Sequence, residues 1–247
     1  MRNPKWHRDE IILALDLYFQ DERGSVDSRN PKIIELSEVI NQLPIFQERP
    51  DEVKFRNPNG VSLKLSNFMA IDPDFDGKGM TSFSKLDEEV FKEFANDKKK
   101  LHSIATEIKK VAKDIELREK VFAIEDDEST LTDSVIEGQV LYKLHKVRER
   151  DSRIIQSKKN HVLSLVGFLS CEICAFDFHK FYGEAGRGFI ECHHKTPLAG
   201  FKASTRTTLE DLALVCSNCH RIIHRSIDVY NIDTMKAFVE NNKSFNP

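Results

Sequence analysis

The chain has 247 residues, 40% hydrophobic and 31% charged, which is enough for two domains with a sizeable core and contains no apolar run of transmembrane length. The opening Met1-Arg2-Asn3-Pro4-Lys5-Trp6-His7 lacks the apolar stretch of a signal peptide, and cysteines that occur in tight groups fit a reducing cytoplasm better than a disulfide framework. The net charge of −3 is unevenly spread: Leu141 to Arg225 holds 14 Lys and Arg against 8 Asp and Glu, and the remainder 23 against 32, so basic surplus suited to a polyanion gathers in one region.

In chain order, Ile11, Leu15 and Phe19 recur every four residues and predict an amphipathic helix over 6–20. Asn30-Pro31 starts a second helix, whose face of Ile33, Ile34, Leu36, Val39, Ile40 and Leu43 ends at Pro44. Pro58-Asn59-Gly60 encodes a turn, after which Val61, Leu63 and Leu65 alternate or begin an apolar helix face. Arg56, Asn57, Lys64, Asn67 and Lys78 cluster around backbone expected to be flexible, where they would suit phosphate or base-edge contacts. Ser84 to Phe94 forms another helix, and beyond Lys98-Lys99-Lys100 a charged amphipathic helix runs to about Lys120. Glu125 to Thr130 is charged and without large apolar residues, which makes it the linker and puts the domain boundary near 130. From Val135 to Val166 a long helical stretch carries Lys143, Lys146, Arg148, Arg150, Arg153, Lys158 and Lys159, and is expected to brace the cysteine-rich segment beyond it and to line the DNA path, with Arg148 and Arg150 as contacts. A short amphipathic piece around Met235 to Val239 closes the chain.

The densest chemistry lies between Cys171 and His224. Cys171-Glu172-Ile173-Cys174 and Cys216-Ser217-Asn218-Cys219 are Cys-x-x-Cys pairs with 41 residues between them. Two thiolates three positions apart reach one ion from a tight turn, and two such pairs complete a tetrahedral shell with no open position, so Cys171, Cys174, Cys216 and Cys219 predict a structural Zn2+. Cys192 is left as a small buried strand residue. His220 and His224, at i and i+4, share one helix face and can hold a second ion. Phe189 to His194 and Leu212 to Val215 read as strands. Neighbours on a strand point to opposite sides, so one of His193 and His194 can complete a three-histidine set while the other is available as a general base.

These residues resemble the HNH, or ββα-metal, nuclease module, in the branch tied by a four-cysteine zinc. By that resemblance His193 is a metal ligand, His194 the general base that activates water, and His220 and His224 the helix histidines that complete the catalytic metal site, as in colicin-type nucleases. The motif's usual asparagine is replaced by Asp211, which can accept the loop-holding hydrogen bond but cannot donate an amide proton; it could instead orient a histidine N–H. The resemblance implies a catalytic divalent ion (Mg2+, Mn2+, Ni2+ or Zn2+), with three imidazoles favouring a transition metal, and products bearing 5′-phosphates. The amino-terminal half, through Trp6-His7-x-Asp9-Glu10, the Phe55 to Phe68 segment and Gly77 to Met80, is similar to the domain preceding the nuclease in type IV modified-cytosine restriction proteins.

The expected architecture is α+β: a mostly helical DNA-recognition domain over 1–130 and a small ββα-metal HNH nuclease domain with a structural four-cysteine zinc over 131–247. The expected activity is metal-dependent hydrolysis of phosphodiesters in double-stranded DNA by a cytoplasmic restriction enzyme that acts on modified DNA, with no membrane partner. A homodimer would let one active site per chain cut both strands. The alternatives are a sequence-specific or homing-type HNH endonuclease, and a non-catalytic zinc-dependent DNA-binding module.

Overall fold

The computed structural model describes residues 3–46, 48–77, 80, 82–124, 139–149, 152–195, 207–223 and 231–243. The chain divides into two compact units, Met1–Ile124 with Glu137–Leu144, and Glu125–Ile136 with His145–Pro247. The described residues are mostly helical, with one two-stranded sheet among them. None of the described helices is long and apolar enough to cross a membrane.

The amino-terminal unit is built around α1 (Arg8–Tyr18), which packs against α2 (Pro31–Asn41), α3 (Pro58–Ile71), α4 (Lys85–Phe94) and α5 (Lys98–Lys113). A helix enclosed by four others must be apolar on every side, and Ile11, Ile12, Leu13, Ala14 and Leu15 are all fully buried. Three carboxylates are buried on it nevertheless, and each meets a partner from elsewhere. Glu10 holds Arg56, and Asp16 accepts from Lys109 Nζ at 2.7 Å and lies 2.8 Å from His102 Nδ1. Asp9 accepts from the backbone N–H of Gln139 at 3.0 Å, so its charge covers the unpaired donors that open α7 (Gln139–Glu149).

Caps decide where these helices begin. Asn30 accepts from Lys32 N with Pro31 behind it, Ser84 and Asp87 form a reciprocal capping box, and Asp97 caps α5. Pro58-Asn59-Gly60, expected as a turn, is instead the first turn of α3. Asn57 accepts from Gly60 N at 2.9 Å, and Pro58 occupies the first helical position, where its missing N–H costs nothing. The helix expected to run unbroken to Lys120 stops at Lys113, because Asp114 caps a separate α6 (Ile115–Phe122). The stretch expected as one helix over 135–166 comprises α7 and α8 (Ser152–Val166), while the linker residues 125–130 lie outside the described residues.

In the carboxy-terminal unit α8 leads to the first cysteine pair, followed by the short α9 (Phe178–Tyr182) and β1 (Glu191–His194). β2 (Leu212–Val215) lies antiparallel to β1, with Glu191 opposite Val215 and His194 opposite Leu212. α10 (Ser217–Ile223) comes directly after β2, then α11 (Ile232–Lys243). β2 has the bounds expected, and β1 begins two residues after Phe189, where that strand was expected to start. Lys158 and Lys159 on α8 do not reach into solvent as a free basic face: Lys158 donates to Leu209 O at 3.0 Å and Lys159 to Gly188 O at 2.8 Å, tying α8 to the segments that enter both strands. Leu169, Ile173, Ile190, Leu214, Ile223, Ile232 and Met235 form the core together with buried cysteines.

Candidate functional site

The four cysteines of the two Cys-x-x-Cys pairs meet at one point. Their ligand atoms all lie within 4.8 Å of one another, and none forms a disulfide. The first pair sits on a tight turn: Cys171 N–H donates to Phe176 O, Ala175 N–H returns to Cys171 O, and Ala175 takes the left-handed conformation at φ 64°. Glu172 staples that turn to β2, its N–H donating to Leu214 O at 2.8 Å while its carboxylate accepts from Leu214 N at 2.8 Å. The second pair spans the start of α10, where Cys219 N–H points at Cys216 Sγ.

Cys174 Sγ and Cys216 Sγ are 3.7 Å apart, close to the edge of about 3.8 Å that a zinc–thiolate tetrahedron with bonds of roughly 2.3 Å requires. The electrostatics point the same way. A hydrogen bond from Cys219 pulls the Cys171 thiol down to about 4, burial pushes Cys216 up to about 11, and the bond to Cys171 together with burial pushes Cys219 up. Four sulfurs this crowded can all be thiolates only around a cation, so the cluster fits a structural zinc.

The histidines form a second centre on β1 and α10. Glu191 and His193, two positions apart, share one face of β1, and His220 comes from α10 to the same place. The His193 and His220 rings have centroids 5.2 Å apart at 71°. The rings meet edge-on, and among the described residues the group of ligand atoms found close enough to hold one ion is that of the four cysteines. Nδ1 of His220 lies 2.6 Å from Glu191 Oε2. His193 is fully buried and His194 nearly so. The expected third ligand, His224, lies outside the described residues.

Asp211 is engaged with its own turn. Its carboxylate accepts from Thr208 N and Thr208 Oγ1, both at 2.7 Å, which holds its pKa below the usual carboxylate range. Its backbone carbonyl accepts from Lys195 N at 2.8 Å, fastening the residue just after His194. The side chain therefore closes the Leu209–Asp211 turn that feeds β2, and its bonds to Thr208 need only an acceptor.

Two antiparallel strands, a helix directly after them, paired cysteines at both ends and histidines on strand and helix all fall within one segment. Residues 171–226 match the HNH endonuclease family model. No curated protein and no solved structure matches the chain. The HNH match supports a nuclease or DNA-binding role, and with it a DNA partner.

Outside the HNH segment, the residues expected to touch DNA are placed differently. Arg56 is 5% exposed. Its guanidinium pairs with both oxygens of Glu10 at 2.7 and 2.8 Å, donates to Pro4 O and Lys5 O, and lies 4.7 Å from the Trp6 ring and 4.5 Å from the Phe55 ring. Lys64 is 4% exposed and bonds Asp87 at 2.6 Å, also beside Trp6. Both cations are thus internal ties, not groups held out to a phosphate, and Asn57 is the cap of α3. Asn67, with its amide turned to satisfy both ends, donates to Ser82 O and Leu63 O. Trp6, His7, Asp9 and Glu10 serve the same interior: a lid on Arg56, the cap of α1, the cap of α7 and the counter-ion of Arg56. Lys78 and Arg150 lie outside the described residues, as does the side chain of Arg148 on α7.

Sequence reasoning missed Glu191. Its signal was the period-two spacing to His193, which puts a carboxylate on the same strand face as that histidine.

Proposed function

We propose that this chain is a metal-dependent endonuclease acting on double-stranded DNA, with its active centre on β1 and α10 and its fold tied by a zinc on Cys171, Cys174, Cys216 and Cys219. The observation that carries the reading is the approach of His193 and His220, on one face beside Glu191, within an HNH segment. His193, His220 and, by the family resemblance, His224 would hold the catalytic ion. When bound, such an ion neutralises a non-bridging phosphate oxygen and the charge developing on the leaving 3′ oxygen.

The remaining work falls to the chain itself. His194, the last residue of β1, takes a proton from the attacking water, a task for which imidazole basicity is suited near neutral pH. Asp211 fixes the turn and, through its carbonyl, the strand end that carries His194. The finer assignments belong to the same proposal: a cytoplasmic restriction enzyme, directed at modified DNA and pairing as a homodimer to cut both strands. Burial of His193 and His194 favours a second reading, a non-catalytic zinc-tied DNA-binding module whose histidines are packing residues.

A plasmid assay separates the two. Zinc-loaded protein with Mg2+, Mn2+ or Ni2+ should cut duplex DNA, and His194→Ala should abolish cutting while leaving zinc content and DNA affinity nearly intact. Protein that binds DNA but cuts under none of these ions establishes the binding module. Equal cutting of modified and unmodified plasmid refutes modification dependence, and retained cutting by His194→Ala removes His194 as the base.

A further inference from the structure

The Glu191 carboxylate has no part in the chemistry proposed above, yet it makes the shortest described contact to either histidine of the pair, 2.6 Å from Oε2 to Nδ1 of His220. We propose that Glu191 is a positioning residue for His220: by accepting the Nδ1 proton it fixes the imidazole in the form whose Nε2 carries the lone pair, and so presents a ready metal ligand. The inference rests on the reading of His193 and His220 as a metal pair.

A neutral imidazole has one donor and one acceptor nitrogen, and a carboxylate can only accept, so a bond between them assigns the proton to Nδ1. Rotation of the ring is restrained at the same time. Glu191 is itself anchored in the sheet opposite Val215, so the bond ties helix to strand at the point where the two imidazoles meet. Carboxylates that orient a ligand histidine in this way change metal affinity by about 10–100-fold when removed.

The test uses the 247-residue chain with zinc kept only at the cysteine cluster, and two readouts other than cleavage. Nitrogen-15 correlations of the imidazoles in protein free of added metal report the His220 tautomer, and calorimetric titration with Ni2+ reports affinity at the imidazole site. The parent should show His220 protonated on Nδ1. Glu191→Ala should lose that tautomer and bind Ni2+ about 10–100-fold more weakly, with zinc content and melting temperature unchanged. Glu191→Gln, whose amide oxygen accepts the same proton, should keep the tautomer and most of the affinity.

The proposal is overturned if His220 carries its proton on Nε2, or if Glu191→Ala binds Ni2+ as tightly as the parent; the metal reading then stands and only the role of Glu191 falls. It is overturned differently if Glu191→Gln keeps the tautomer yet loses affinity as Ala does, since Glu191 is then a direct ligand. A parent chain that takes up no Ni2+ removes the metal pair itself, and this role with it.

Discussion

Both units of the molecule bury polar groups, and they neutralise them by opposite means. In the amino-terminal unit Glu10 faces Arg56, Asp87 faces Lys64, Asp16 faces Lys109, and Asp9 faces the start of a helix, so each of these buried charges finds its complement within the chain. In the carboxy-terminal unit the groups drawn together are four cysteine sulfurs, three of them on buried residues, and two buried imidazoles, His193 and His194, lie side by side on β1. Those pairs in the first unit need nothing from outside the chain, whereas the sulfur cluster of the second fits a cation, so the stability of the second should depend on metal where that of the first does not.

The largest effect that would break or sharpen this contrast is loss of the zinc cluster. Cys216→Ser, or a strong chelator, should abolish cooperative melting of the carboxy-terminal unit while hydrogen exchange in α1 to α5 keeps its protection. Equal loss of protection in both units would dissolve the distinction.

Next in size is Arg56→Ala, which leaves Glu10 buried without its counter-charge and should destabilise the amino-terminal unit by about 3–5 kcal/mol in denaturant melts. Arg56→Lys should recover little, since an ammonium cannot reproduce the bonds to both Glu10 oxygens and two backbone carbonyls. Weakened DNA binding at unchanged stability would return Arg56 to the DNA surface and contradict its role as an internal tie.

A smaller effect is expected at Asp211. Asp211→Ala removes the acceptor for two Thr208 donors and should cost about 1 kcal/mol. Asp211→Asn keeps an acceptor and should cost less, with cleavage largely retained.

The smallest concerns His7. Burial alone would lower its pKa, but the hydrogen bond and charge of Asp9, with Glu10, raise it above the ordinary value of 6.5. A pKa raised on folding gives stability that is fully present below the unfolded value and is lost as pH rises through the folded one. The amino-terminal unit should thus soften slightly above neutral pH, and His7→Asn should flatten that dependence in pH-resolved melts.

How much of this is legible in the sequence depends on how local each cause is. The cysteine turns, the strands at Glu191–His194 and Leu212–Val215 and the caps at Asn30 and Ser84 are all set by residues a few positions apart, and the sequence pattern locates them. Pro58-Asn59-Gly60 misleads because proline after a capping asparagine begins a helix as readily as a turn, and only the bond from Gly60 N to Asn57 decides. Arg56 and Lys64 look like surface cations because their partners lie 46 and 23 positions away, and no local pattern announces a pairing of that range. Around the histidines, strand periodicity puts Glu191 and His193 on one face, while His224, expected one helical turn after His220, lies outside the described residues. Asp211 turns towards Thr208 for a reason written in the same short turn, Thr208 and Asp211 being the ends of one capping box.

The central proposal is that the carboxy-terminal unit would hold metal in two distinct ways, one sealed by sulfur and one on imidazole. Zinc bound per chain, counted after equilibration with a mild chelator for the parent and for His193→Ala, tests it most directly. The expected result is one ion that resists the chelator in both proteins and a second, exchangeable ion present only in the parent. A single class of ion, or a second ion indifferent to His193→Ala, would contradict it.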